Sequence, residues 1–338
     1  MKRIFAISLF VLSFHAISAA LIGAGSSSVN NMMNDFIEQY NKIGQDHVKY
    51  FGGGPKDGLK KIKEGKVDFA ISVVPILPYE LKRSHLMQFP IMVLGFVVVV
   101  NVPGLHSGDL VLNGDILAAI FRGKITYWDD DDIQKINLKL ALPHLPIVVV
   151  HRSDLAGSTF TLTNYLSKVN LRWLLFMGDG FDVDWPVGVS ASGNDGMAKK
   201  VSSLPGAIGY VELSTARHYG LSYVDMFNRS RVRISPSSVA LQSAVDNVDF
   251  RHAEKFYVFF TNQGGIKSWP LLAGSYVLLR TDSVSPNTRA VLRFFQWCLT
   301  HSQGTAQKMD AIVLPPDVIA RINQSWLKEF NWQSTSIK

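Results

Sequence analysis

The residues best suited to chemistry lie together at 147–165, Ile-Val-Val-Val-His-Arg-Ser-Asp-Leu-Ala-Gly-Ser-Thr-Phe-Thr-Leu-Thr-Asn-Tyr. Arg152 offers a planar cation that can hold two oxygens of a tetrahedral oxyanion at once, and Asp154 is spaced to clamp it. Gly157 lets a ligand approach the main chain, while Ser158 and Thr159 add hydroxyl donors. The chemistry these types suit is non-covalent capture of an anion. A plainer reading stands beside it: Ser158 or Thr159 as an ordinary N-cap and Arg152 as a solvated surface residue.

Placing these groups requires a strand and a helix. The branched run from Ile147 to Val150 reads as a buried strand, and the Ser/Gly-rich exit feeds a helix beginning near Thr159. The first N–H groups of such a helix lack partners and sit at the positive end of its dipole, which makes an anion seat. The construction recurs. A strand at 21–25 ends in Gly25-Ser26-Ser27-Ser28, with Ser28 as N-cap of a helix carrying Val29, Met32, Met33, Phe36, Ile37 and Tyr40 on one face. Val48–Phe51 is a strand, 52–58 a Gly-rich loop, Leu59–Glu64 a helix and Val67–Ile71 another strand. This alternation predicts an α/β fold with parallel sheets and a ligand off the carboxyl ends of the strands. The GxGxxG of a first βαβ unit and the GxxxxGK[ST] of a P-loop are both missing, so a nucleotide is discounted.

Further along, a strongly apolar strand over Phe96–Val102 leads to Pro103-Gly104 and a helix over Asp115–Phe121. Asp129–Asp132 head a helix through Ile136; a metal site is one reading, and carboxylates drawn to a helix N-terminus is the favoured one. Gly193-Asn194-Asp195-Gly196 opens another helix, and Leu204–Val211 reads as a tight turn feeding a buried strand.

The chain opens with Lys2 and Arg3, an apolar run over Ile4–Phe14 and small residues at Ala16–Ala20, the layout of a secretory signal peptide over 1–20. No cysteine lies at the junction, so a lipid anchor is not expected, and a soluble exported chain from about Leu21 is. What remains exceeds one comfortable core and implies two domains. With 47% apolar and 18% charged residues it is globular rather than disordered. Of the formal charge of +7, Lys2 and Arg3 carry two. That modest excess steers an anionic ligand, whereas no dense Lys/Arg block interleaved with aromatics points to nucleic acid. Lone Cys298 falls in a helical apolar pattern and reads as core. No GxSxG, HExxH or paired acid–base arrangement supports an enzyme, and His151 reads as a strand-end residue packed beneath the turn.

Together these segments resemble the PstS family, the phosphate-binding proteins of ABC-type phosphate importers, from about Leu21 to Trp326. The resemblance rests on Gly23-Ala-Gly25, Val67-Asp-Phe69, Gly123-Lys-Ile-Thr-Tyr-Trp-Asp129, His151-Arg-Ser-Asp154 with Gly157 and Phe160, Gly193-Asn-Asp-Gly196, Leu204-Pro-Gly-Ala-Ile-Gly-Tyr-Val-Glu212, Trp269-Pro270, Leu314-Pro-Pro and Ser325-Trp326. It implies a two-lobed periplasmic binding protein of type II, with domain I from 21–92 and 263–338 and domain II inserted at 93–262. Hinges are implied near Pro90–Gly95 and Asn262–Trp269. It further implies a periplasmic monomer that closes on inorganic phosphate and delivers it to an inner-membrane permease and ATPase complex, with no cofactor or metal. The implied phosphate-binding residues are Ser26, Ser27, Ser28, Arg152, Gly157 and Ser158, supported by Asp154, Ser72 and Ala156.

The match departs from the family at the site itself. Pro55 stands where the family has a serine of the Gly-rich loop, and Ala156 opens the Ser-Gly-Thr turn. After Ser72, Val73 stands where the family places an aspartate that accepts the proton of hydrogen phosphate. An unmade charged hydrogen bond there is worth roughly 1.5–3 kcal/mol. Weak or altered phosphate binding with reduced discrimination against sulfate is therefore expected, and the alternative function is a degenerate relative with changed oxyanion specificity or a secreted non-transport role. Val73→Asp should raise the phosphate-to-sulfate selectivity measured by calorimetric titration. Unchanged selectivity would mean that position 73 is not where the proton is read.

Overall fold

The computed structural model describes residues 20–43, 46–282 and 286–332, so the signal peptide expected over 1–20 lies, apart from Ala20, outside the described residues. The chain starts with β1 (Leu21–Gly25), α1 (Asn30–Asn41), β2 (Val48–Phe51), α2 (Pro55–Lys63), β3 (Phe69–Ser72) and the long β4 (Leu86–Asn101). Helices Gly114–Phe121 and Asp131–Ile136 precede β5 (Val148–Arg152), α3 (Gly157–Val169), β6 (Val189–Ala191), α4 (Gly193–Ser203) and β7 (Ala207–Glu212). The chain then returns through β8 (Leu272–Arg280) and ends on α5 (Pro286–Thr300) and α6 (Pro316–Phe330).

The main path of the sheet runs β2-β1-β3-β8-β4-β7-β5-β6. As the βαβ alternation predicts, β1 is parallel to β2 and β3, and β5 is parallel to β6 and β7. The two parallel groups are joined by antiparallel pairs through β8, β4 and β7. Each half has its own aromatic packing. Phe69, Phe89, Phe294, Phe295 and Trp326 meet edge-on or tilted in one, and Phe121, Trp173, Trp185 and Tyr210 in the other. The result is a two-lobed α/β protein, and among its described residues no helix is long and apolar enough to cross a membrane.

β4 belongs to both lobes. From Leu86 to Gly95 it pairs with β8, and from Phe96 to Asn101 with β7. The hinge expected at Pro90–Gly95 is thus an unbroken strand whose partner changes at one peptide. Pro90 has no N–H to give, and the register with β8 shifts between Ser275 and Tyr276 beside it, a bulge that absorbs the missing donor. The return over Asn262–Trp269 is a turn rather than a second strand: Asn262 has φ 54° and Gly265 φ 97°.

Other boundaries also moved. α3 begins at Gly157, not near Thr159, with Ala156 as its N-cap and no side-chain cap. α2 begins at Pro55, inside the expected loop, because proline is well tolerated at the first helical position. Ser28 is not an N-cap; Val29 holds that place for α1, and Ser26 caps a short 3-10 turn by accepting the Ser28 N–H at 3.3 Å. Asp130 caps Asp131–Ile136, while Asp132 pairs with Lys135 and Asp129 with His144, so the acidic run serves a helix start.

The crossing is sealed by Trp269. Its indole N–H donates to the Phe96 carbonyl at 2.8 Å, and the Phe96 N–H donates to the Leu271 carbonyl at 2.9 Å, with Trp269 fully buried. Trp269→Phe keeps an aromatic ring but leaves that carbonyl unpaired. A loss of about 1–3 kcal/mol is expected in denaturant unfolding; a change within a few tenths would mean the bond contributes little.

Candidate oxyanion site

The carboxyl ends of β1, β3, β5 and β6 deliver their turns to one place, where a doubly wound sheet puts its ligand. Gly25, φ 145°, makes the first turn possible: a Cβ there would stand 2.1 Å from the Ile71 carbonyl oxygen. That close approach lets the Ser26 N–H reach the same oxygen at 2.9 Å. Gly157 is the counterpart on the other lobe. A Cβ on it would stand 2.0 Å from Val73 Cγ2 and 3.5 Å from Ser28 Oγ, so the start of α3 lies directly against the ends of β1 and β3.

The N–H groups of Gly157, Ser158 and Thr159 have no acceptor among the described residues. This triplet, at the positive end of a 13-residue helix, is the seat that the sequence pattern predicts. The Ala156 N–H, by contrast, is taken by the Phe181 carbonyl at 2.9 Å. Ser28 Oγ is buried and makes no hydrogen bond of ordinary geometry among the described residues, with the Glu212 carboxyl near enough to feel it. Ser26 is buried and engaged in its turn, and Ser27 is half-buried. Ser72 Oγ bonds the Val74 backbone at both its N–H and carbonyl, so its hydroxyl shapes the turn after β3.

Arg152 is not solvated. Its side chain is 1% exposed, Nε and Nη2 bind Asp154 at 2.8 and 2.5 Å, and Nη1 donates to Asn194 Oδ1 at 2.8 Å and more weakly to Ser158 Oγ at 3.3 Å. Four of the five guanidinium donors are therefore engaged within the protein, and one Nη2 hydrogen is left for a ligand. Burial pushes the Asp154 carboxyl up, but Arg152 and the Gly193 N–H at 3.1 Å more than offset it, and its pKa lies below the usual value. His151 packs as expected, its ring stacked on Trp185 at 5.2 Å.

Three residues around the site, Asn194, Glu212 and Tyr210, were not singled out by the sequence. Asn194 bridges Arg152 and Glu212, accepting from the first through Oδ1 and donating through Nδ2 to Glu212 Oε1 at 2.8 Å. Glu212 ends β7 opposite Phe96, and burial pushes its pKa up to about 7 against the opposing pulls of Asn194, Arg152 and Ser28. Tyr210, two residues earlier, links the Arg152 N–H at 3.2 Å to Thr159 Oγ1 at 2.8 Å; burial raises its pKa to about 12. A carboxylate closing an otherwise apolar strand was the available signal for Glu212.

A profile of the PBP superfamily domain matches residues 15–300. A phosphate-binding protein PstS of Xylella fastidiosa is 36% identical over 314 residues, covering 93% of this chain and 86% of the relative. One from Haemophilus influenzae is 35% identical over 329 residues, covering 97% and 98%. The chain belongs to the PstS family. Solved structures share its fold at lower identity: the ancestral soluble variant of the human phosphate binding protein superposes with TM-score 0.71 at 17% identity, covering 91% of this chain and 94% of that one. A putative phosphate ABC transporter substrate-binding protein from Clostridium perfringens gives 0.61 at 16% identity, covering 88% and 100%.

For this PstS-family chain, Glu212 sets a pH dependence of its own. A carboxyl whose folded pKa is raised stabilises fully below its unfolded value of 4.5 and loses that stability as pH rises through about 7. The anion-free protein should lose about 3 kcal/mol of unfolding free energy between about pH 4.5 and pH 7 relative to Glu212→Gln. Parallel profiles for the two proteins would show that the carboxyl titrates normally. Asp154 acts in the opposite sense, contributing stability that disappears only in more acid solution.

Proposed function

We propose that this chain is the phosphate-capturing component of an ABC-type importer, exported by its signal peptide to the periplasm. It would work there as a monomer, closing on inorganic phosphate and passing it to an inner-membrane permease and ATPase complex. The observation that carries the reading is the triplet of N–H groups at Gly157, Ser158 and Thr159 that find no acceptor among the described residues, set beside the buried Arg152 and the buried Ser28 hydroxyl. Relatives named as phosphate-binding proteins match nearly the whole chain, which speaks against a degenerate non-transport role.

On this reading phosphate oxygens are met by the N–H groups of Gly157 and Ser158, the free Nη2 hydrogen of Arg152 and the hydroxyls of Ser26, Ser27, Ser28 and Ser158. Asp154 holds Arg152, while Ser72 and Ala156 hold the two turns. The lobes divide as 21–92 with 263–338 against 93–262, a division supported by the change of partner at Gly95–Phe96 and the return at 262–269. Closure then twists β4 and flexes the Asn262–Gly265 turn.

The chain from Leu21, freed of bound anion by unfolding and refolding, should give a saturable heat of binding with phosphate. Arg152→Lys, which cannot bridge Asp154 and Asn194 together, should weaken binding at least about tenfold. Absence of heat with phosphate in the unaltered protein overturns the proposal in favour of the non-transport alternative.

A further inference from the structure

Among the anion site's neighbours, Glu212 is the one ionisable group whose presence is hard to reconcile with a site built only to attract negative charge. A buried carboxylate beside an anion seat repels a fully deprotonated ligand, and it is retained at the crossing between the lobes, opposite Phe96. Its surroundings are fixed on every side. Arg is a donor only, so Asn194 must turn Oδ1 to Arg152 and Nδ2 to Glu212, which fixes Oε1 as an acceptor. Oε2 makes no hydrogen bond of ordinary geometry among the described residues, although the Ser28 hydroxyl lies near enough to pull the carboxyl's pKa down.

Ser28 ties this carboxyl to the seat. Its Oγ is buried, makes no hydrogen bond of ordinary geometry among the described residues, and would stand 3.5 Å from a Cβ on Gly157, the first residue of the N–H triplet. Val73, 2.0 Å from the same imagined Cβ, closes the remaining side with methyl groups and has nothing to offer a proton.

We propose that Glu212 is a specificity-determining residue of this oxyanion site, the group that reads whether the bound tetrahedral anion carries a proton. The proposal rests on the reading that the chain binds inorganic phosphate. Above about pH 7, monohydrogen phosphate brings its own proton, so its O–H donates to the ionised Glu212 and the pair holds one proton without exchange with solvent. Sulfate brings none, so its complex requires a protonated Glu212 that donates to a sulfate oxygen, and above about pH 7 that proton must first be taken from water or buffer. The raised pKa of the carboxyl keeps both states accessible near neutrality.

The other charged and titratable groups around Glu212 do not replace it. Arg152 on β5 favours its ionised form, and Asp195 on α4 opposes that. Asp154 is held by Arg152, Tyr210 on the same strand is engaged by Thr159 of α3, and β4 brings apolar Phe96 and Val97. On the helix that follows, Arg217 is paired with Asp310 and His218 packs edge-on against Tyr219.

The test is calorimetric titration of the anion-free protein and of Glu212→Gln with phosphate and with sulfate, at about pH 6 and about pH 8.5, each in two buffers of different ionisation enthalpy. In the unaltered protein, sulfate binding should take up about one proton at about pH 8.5 and weaken by about tenfold per pH unit above about pH 7, whereas monohydrogen phosphate at about pH 8.5 should bind with no proton exchange; at about pH 6, where carboxyl and phosphate start protonated, sulfate should take up little proton and phosphate binding should release protons. Glu212→Gln, whose amide donates to any oxyanion, should bind sulfate with no proton uptake and lower the phosphate-to-sulfate ratio at about pH 8.5 at least about tenfold. Glu212→Asp, which keeps the carboxyl, should keep the sulfate discrimination. Unaltered selectivity and pH slope in Glu212→Gln, or an equal loss of both anions with the melting transition intact, would overturn the role of Glu212. Failure of the unaltered protein to bind phosphate would instead overturn the functional reading beneath it.

Discussion

A guanidinium 1% exposed to solvent must have its charge compensated and its donors met, and the site is built around that requirement, with one Nη2 hydrogen kept for a ligand. Asp154 supplies the counter-charge two residues away, and Asn194 and Ser158 take the remaining strong directions. Because Arg152 and Asp154 cancel, a bound anion meets little net positive charge. Its stabilisation falls to fixed dipoles: the free N–H groups of α3, the hydroxyls after β1 and the oriented peptides of the two glycine turns. A site of this kind pays for little reorganisation when the anion arrives, since the donors are already held in place by the strands and helices behind them.

This arrangement also explains which parts of the site were legible in the sequence. Arg152, Asp154, Gly157 and Ser158 are local in the chain, and the β-strand, turn and helix that carry them follow from residue types within one short window. The family resemblance extended that reading across the whole chain, and the sheet bore out its parallel groups. What local reasoning missed depends on contacts between distant segments. Ser72 was read as a supporting residue, and its hydroxyl closes its own turn onto Val74. Asn194 and Glu212 become members of the site only because β7 lies beside β5 in the sheet and α4 packs onto β5, and no spacing along the chain expresses that adjacency. The helix starts were misplaced for a simpler reason: glycine and proline, read as breakers, here occupy the first helical positions of α3 and α2, where the lost or weakened N–H bond costs nothing.

Val73 shows how a substitution at one wall changes the demands on another. An apolar side chain packed onto Gly157 excludes water from the start of α3 and so strengthens every dipole aimed into the cleft. The same dryness raises the cost of any unmatched charge, which makes the protonation state of the nearby Glu212 carboxyl matter more than it would on an open surface.

The long strand has a consequence of a different kind. β4 gives its first ten residues to one lobe and its last six to the other, and all but Asn101 are buried. Neither lobe can lose its central ladder without pulling on the strand that completes its neighbour. Although the ligand cleft divides the molecule in two, melting should therefore couple the lobes into a single cooperative unit. A motion that exposed the cleft would then not open an independent route to local unfolding and proteolysis.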